Sequence, residues 1–408
     1  MGRRSLGRQF GWLWAAFAVS SYGSGLGFGA FSVLAIMVLH VGPAEVSVLS
    51  AAGLAVGAVL AVPLGPWVEF RRKRPVMIAM DLLRFAALVS IPLAFAFDLL
   101  TFAHLVVVSV LVAAAKIAFS SASGAYLKTL VPQEDLLVAN ARFESTTWSS
   151  VALGPPLGGA AIGLFGPVTT ILADACSYLL SALGIRAIGG SEPRPERSGK
   201  PRLRARDLLD GWRTILENPV LRRLFLNTML VNGLIMATEP LLAVLMLGEL
   251  GFAPWQYGLA FAVPCAGGLI GSRLARKLVA RFGQHRVLLV GGTLRACWLI
   301  GLVFIRPGLP GLVIVMVVEL GLILCISVFN PVVVTYRLSS TETGRVARML
   351  SAWSISSSAT IAALTAAWGL LATATSPRIA LAAAGALCLL TPALLPRRDH
   401  TKQPQPVS

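Results

Sequence analysis

Val62-Pro-Leu-Gly-Pro-Trp-Val-Glu-Phe-Arg-Arg-Lys-Arg-Pro-Val-Met-Ile-Ala79 joins two apolar runs through four consecutive cations. The runs cover 46–68 and 75–97. Each is long enough to cross ~30 Å of hydrocarbon as a helix, which takes roughly 20 residues. A chain that is apolar, then abruptly cationic, then apolar again sets its charges at one face of a bilayer. The same alternation continues outward in both directions. Further apolar segments read 11–38, 102–124, 144–165, 168–189, 224–247, 254–275, 286–305, 308–331, 350–373 and 376–396, twelve in all. Thirty of the 35 Lys and Arg fall in alternate gaps or at the segment ends beside them, beginning with the N-terminus. The intervening gaps hold only Arg306 and Arg378, and Arg84, Lys116 and Arg295 lie inside segments. The positive-inside rule then places both termini in the cytoplasm.

Composition agrees with a multi-pass protein of the cytoplasmic (inner) membrane. The chain is 56% hydrophobic and 13% charged, with a mean hydropathy of +0.77, which excludes a conventional soluble domain. Its net charge of +17 sits beside membrane segments. Anionic lipid headgroups account for it, and no nucleic-acid partner is expected. The run from Gly11 to Leu39 after Arg3, Arg4 and Arg8 is about twice a signal-peptide core, so it reads as an uncleaved first helix. Five cysteines lie in apolar segments without a CxxC pair and are expected to pack as small apolar groups. The four histidines have no ligand spacing, and no HExxH, GxSxG or phosphate-loop motif occurs. No enzyme, metal or cofactor is predicted, and without a nucleotide site the energy source would be an ion gradient.

The longest gap, 190–223, separates the segments six and six. The predicted organisation is a bundle over 1–189, a cytoplasmic linker over 190–223, a second bundle over 224–396 and a cytoplasmic tail over 397–408. The linker opens with a Pro-rich basic stretch. It continues with Leu208, Leu209, Trp212, Ile215 and Leu216 at helical spacing, a pattern for a short amphipathic helix on the membrane surface. Gly65 and Gly271, and Arg142 and Arg348, are both separated by 206 residues. Paired with the six-plus-six count, they favour two related bundles about an axis normal to the membrane.

On these residues the chain resembles the major facilitator superfamily along nearly its full length. Gly65-Pro-Trp-Val-Glu69-Phe-Arg71-Arg72-Lys73-Arg74 is similar to the superfamily's G-x-x-x-D-R-x-G-R-R loop, with Glu69 for Asp, Phe70 for a basic residue and Arg72 for Gly. Asp81 with Arg84, Leu130-Val131-Pro132, Ala139-Asn140-Ala141, Asp174 with Ser177, Asn218-Pro219 and Gly344-Arg345-Val346 resemble the branch of macrolide efflux pumps and the enterobactin exporter. Ser150-x-x-x-Gly154-Pro155-x-x-Gly158-Gly159 resembles the exporters' G-x-x-x-G-P-x-x-G-G element, its first Gly replaced. Ordinary close helix packing is the alternative reading of those glycines. The resemblance implies an all-α membrane protein of twelve transmembrane helices in two six-helix bundles. It also implies a conformational latch in which Gly65, Glu69, Arg71, Arg72 and Arg74 meet the start of the eleventh helix near Ser351, whose free N–H groups suit an anion. The same arginines also serve as topology determinants.

Ionisable groups inside a bilayer cost about 2.5–3.5 kcal/mol each and are expected to face a partner or a wet cavity. Asp81 and Arg84 stand three apart and can pair locally, so they read with Asp174 and Arg295 as structural charges. Glu239 and Glu319 fall on the seventh and tenth segments, which line the cavity in the superfamily. Asn232, Met236 and Glu239 share one helical face, as do Glu319, Ile326 and Asn330, and Pro240 is expected to break the seventh helix. A carboxylate in low dielectric can exchange protons in the neutral range; an ion pair to Arg295 or Lys116 would instead keep it charged. Lys116, Tyr22 and Phe28 complete the candidate cavity. Ser24 stands where relatives in this branch carry Asp. The expected function is proton-coupled export of an amphipathic organic molecule, such as an antibiotic or a siderophore, by a functional monomer. An importer, uniporter or lipid flippase of the same fold, or a membrane scaffold without transport, is the alternative.

Overall fold

The structure is a computed structural model that describes residues 6–53, 55–56, 71–132, 135–189, 205–341 and 345–396. Gly65 and Glu69, residues 190–204 of the linker and the C-terminal tail lie outside the described residues. The described residues form helices α1 (Arg8–Leu26), α2 (Ala30–Met37), α3 (from 43 to 53), α4 (Lys73–Ala96), α5 (Phe102–Leu130), α6 (Leu136–Phe165) and α7 (Pro167–Arg186). After the linker come α8 (Ala205–Glu217), α9 (Pro219–Ala243), α10 (Pro254–Phe282), α11 (Gln284–Trp298), α12 (Leu309–Ser339), α13 (Val346–Ala374) and α14 (Pro377–Leu390). Ten helical runs among them are long and apolar enough to cross a membrane. Two further apolar segments are described in part: α3 lies within the segment expected over 46–68, whose residues 57–68 are outside the described residues, and α6 is continuously apolar only over Leu153–Phe165.

Helix boundaries depart from the apolar segments in one direction. The fourth, fifth, tenth and eleventh segments end or begin at 124, 144, 331 and 350, whereas the helices reach Leu130, Leu136, Ser339 and Val346. α5, α6, α12 and α13 run 29–31 residues, about 44 Å at 1.5 Å per residue, well beyond the hydrocarbon thickness. Their outlying turns carry Lys128, Arg142, Arg337 and Arg348. Hydropathy marks where lipid stops; the helix continues into water because nothing in those turns breaks it.

The first crossing is interrupted. Gly29 has φ +74°, a backbone that side chains disfavour, and it separates α1 from α2. The glycines of this crossing divide their roles. Gly23, Gly25 and Gly27 let α7 and α6 approach, while Gly29 turns the chain. The expected break at Pro240 does not occur there. α9 continues to Ala243 and passes into a π-helical turn, Val244–Glu249. One missing proline donor is absorbed by the wider turn that follows.

Each half packs on a buried Arg-over-Phe unit. The Arg84 guanidinium lies 4.7 Å from the Phe119 ring centre and 4.3 Å from that of Tyr178, and pairs with Asp81. Arg295 lies 3.6 Å from Phe329 and donates to Asn227 Oδ1. The two arginines are 211 residues apart and the two phenylalanines 210, a second internal echo beside the pairs at 206. The second unit lacks the carboxylate: Gly292 stands 211 residues after Asp81. Arg295 is fully buried, with Nε and Nη1 unbonded. Breaking a buried pair strands the remaining charge, at about 3–5 kcal/mol, whereas a lone buried cation already lacks its partner. Arg84→Met is expected to lower stability by that amount. Arg295→Met, which keeps an apolar stem on Phe329, should change it by less than about 1.5 kcal/mol. Thermal unfolding of both variants in one detergent checks the contrast, and equal losses would refute it.

Two smaller corrections concern surface groups. α8 does not only lie on the membrane. Gly211 removes the side chain that would meet the Arg348 carbonyl, Trp212 Nε1 donates to Ser356 Oγ at 2.8 Å, and Arg348 pairs with Asp210 at 3.3 Å, docking α8 on α13. Cys325 and Cys388 are buried as expected of packing residues, but Cys176 and Cys297 are exposed on the helix surfaces.

Candidate transport cavity

Six crossings return the chain to the side on which it began. Gln9 Nε2 donates to the Gly189 carbonyl, and Arg74 donates to the carbonyls of Ile185 and Arg186, so the starts of α1 and α4 meet the end of α7. Arg74 thus caps a helix C-terminus within its own half, as a cation should. Arg71 and Arg72 are exposed beside it, and Ser351 falls in the first turns of α13.

The close backbone contacts between the halves fall on the opposite side, away from the termini. Gly159 of α6 faces Gly258 of α10 so closely that a Cβ on either would lie 2.5 Å from the other's Cα. Gly163 abuts Trp255, Gly248 abuts Ile36, and Gly369 of α13 admits Ser47 of α3. Within the first half, Gly154 and Gly158 seat α6 on Gly25 and Leu26 of α1. Pro155 is buried in the same stretch, its carbonyl 2.7 Å from where a Gly258 Cβ would lie. The glycine element therefore serves two contacts. Gly154 and Gly158 build one half, and Gly159 closes one half on the other.

Aromatic rings sit just inside this seal. Phe28, in the break between α1 and α2, meets Phe261 edge-on at 5.5 Å, and Phe261 meets Tyr257 at 5.2 Å. Gly29 gives Tyr257 its space, since a Cβ there would be 3.2 Å from the ring. Glu239 of α9 and Glu319 of α12 lie near one another and near Tyr257. Glu319 is 8% exposed and Glu239 partly exposed. Neither forms an ion pair with a described residue. Arg295 is committed to Asn227 and Phe329, so it does not neutralise the acids. Asn232 is partly exposed on the face of Glu239, with Met236 exposed between them, and Asn330 is exposed farther along α12.

The first half presents hydroxyls. Tyr22 OH and Ser149 Oγ are 2.7 Å apart, and Ser24 Oγ is 2.6 Å from Tyr178 OH. Asp174 is buried under the α1–α2 break, its carboxylate 2.9 Å from where a Gly27 Cβ would lie. Sequence reading brought Glu239, Glu319 and Phe28 forward but missed Tyr257 and Phe261. Their i, i+4 spacing, which puts both rings on one helical face, was the available signal.

Twelve crossings in two six-helix halves, sealed on one side and lined there by rings and acids, define a membrane transporter. The profile of the Major Facilitator Superfamily matches residues 13–336 and again 240–408, and the chain belongs to that family. It is 24% identical over 315 residues to the "Multidrug efflux pump Tap" of Mycolicibacterium fortuitum, covering 75% of this chain and 76% of that one. It is 26% identical over 215 residues to the Tap pump of Mycobacterium tuberculosis (strain ATCC 25618 / H37Rv), covering about half of each. Among solved structures it shares its fold with the nucleoside transporter NupG, at TM-score 0.75 and 10% identity over 95% of this chain and 98% of that one. It also shares it with a bacterial homologue of the iron transporter ferroportin in the inward-facing state, at TM-score 0.75 and 18% identity over 96% and 98%.

Proposed function

We propose that this protein is a proton-coupled exporter of amphipathic organic molecules, an antibiotic or siderophore being the kind of cargo, working by alternating access in the cytoplasmic membrane. The observation that carries this reading is the acid pair, Glu239 and Glu319, near the rings of Phe28, Tyr257 and Phe261 and without an ion pair to any described cation. Rings accept an apolar body, and carboxylates accept a proton or a polar end. Likeness to the Tap efflux pumps supports the direction. With both termini cytoplasmic, the contact between α6 and α10 lies on the outer side, which suits a protein that takes cargo from the cytoplasm or the inner leaflet. Protons entering from outside then neutralise an acid as cargo leaves, and release inside resets it. Glu69, Arg71, Arg72 and Ser351 are the proposed latch that closes the inner side in the opposite state.

The test is accumulation of labelled antibiotics and dyes in a host lacking its own pumps. Cells making the protein should hold less of at least one compound, and an uncoupler should erase the difference. An importer would raise accumulation, a uniporter would ignore the uncoupler, and a scaffold would change nothing for any compound.

A further inference from the structure

We propose that the outer face of the second half carries a selective site for one anionic phospholipid, in a groove between α10, α11 and α12. The groove is a cavity of about 490 Å³ lined by Leu278, Phe282, Arg286, Val290, Leu294 and Val328. Val290 and Leu294 are 57% and 49% exposed, so the groove opens outward from the bundle, and neither the acids nor the rings of the transport cavity line it. Gly291 contributes no side chain to its floor. At ~30 Å³ for each group of water's size, the volume holds about sixteen, the scale of one acyl chain.

Charge tells which lipid fits. Arg286 stands at the end of the groove beside the α10–α11 turn, and Arg281 stacks over Phe282 at 5.3 Å. Arg273, Arg276 and Lys277 precede them on α10, all exposed. No acidic residue occurs between Glu249 and Glu319, and none of these five cations forms an ion pair with a described residue. An apolar slot that ends in uncompensated cations matches an acyl chain joined to a negative headgroup. A zwitterionic lipid would fill the slot and leave the cations unanswered. The occupant is therefore phosphatidylglycerol or a lipid of the same charge, its headgroup at Arg286 and one chain along Leu278, Val290 and Leu294. Each cation near such a surface contributes about fivefold in binding.

Native mass spectrometry of the delipidated full chain, titrated with phosphatidylglycerol and phosphatidylcholine of identical chains, tests this. One phosphatidylglycerol should be retained in preference to phosphatidylcholine. Arg286→Gln should weaken it about fivefold, and Leu294→Trp, which fills the slot from an exposed position, should weaken both lipids. Arg222→Gln, an exposed cation away from the groove, should change nothing. Equal retention of the two lipids by the wild-type chain would overturn the headgroup assignment. Wild-type retention in both groove variants, with unchanged melting, would overturn the site.

Discussion

Glu319→Gln is expected to abolish uphill transport while leaving downhill exchange intact. In liposomes with a pH gradient, the wild-type protein should drive cargo toward the acidic side. The variant should lose that drive by on the order of a hundredfold, the contribution of one positioned proton-transfer group. Substrate counterflow, which needs no proton, should persist near the wild-type rate. That split separates a coupling role from a structural one, because a misfolded cavity loses both. Glu319 is the better candidate for the proton of the pair because it is the more buried, so its charge has less water to lean on. Glu239 sits partly open, on the face it shares with Asn232 and Met236. Glu239→Gln should therefore cost affinity for a cationic cargo, seen as a raised KM, with some gradient drive retained. The double variant should show no gradient drive at all. Unchanged uphill transport in both single variants and the double would remove the acids from the mechanism.

The pair's chemistry depends on what does not touch it. A buried ion pair would have held either acid permanently charged, and its removal would then have crippled the fold. The second half instead leaves Arg295 on Asn227 and Phe329, and neither acid forms an ion pair with a described residue. The first half keeps its charges together, with Arg84 on Asp81. The two bundles share a scaffold, Arg over Phe, and differ in where the negative charge went. In the second the acids are Glu239 of α9 and Glu319 of α12, and Gly292 stands where the repeat would place Asp81.

How much of this was legible follows from what a periodic pattern contains. Crossings, their number and the proposed orientation come from hydropathy and the placement of cations, both local properties of the chain. The amphipathic α8 was readable for the same reason. Its docking on α13 was not, because Gly211 shows nothing in isolation; only the Arg348 carbonyl opposite makes it necessary. Gly29 looked like Gly25, since composition does not distinguish a glycine that turns the chain from one that admits a neighbour. Tyr257 and Phe261 were passed over as apolar residues of a long helix. Their meaning comes from Phe28, more than two hundred residues earlier, which only the closed contact brings to them. Glu319 was found because a charge within an apolar run is anomalous wherever it falls.

The second large effect is expected at Gly159. A methyl there has no room, because the Gly258 backbone is 2.5 Å from where it would lie and has no flexible side chain to move aside. Overpacking of this kind costs about 1–3 kcal/mol, and here the cost falls only on the state in which α6 and α10 touch. Gly159→Ala should therefore shift the population away from that state by about five- to hundredfold and slow transport, with little loss of overall stability. Gly158→Ala provides the contrast. Its methyl would meet the Leu26 carbonyl within the same half, so it should lower melting and leave the balance of states alone. Gly124→Ala, with open space around it, should do neither. Spin-label distances between the far ends of α6 and α10 measure the shift directly. Gly159→Ala should lengthen them and Gly158→Ala should not. If both variants only melt earlier, the α6–α10 contact is ordinary packing and not the outer seal of a moving transporter. If Gly159→Ala alone opens the far side, the glycine element is resolved into a pair that holds one bundle together and a single residue on which the closing of the two depends.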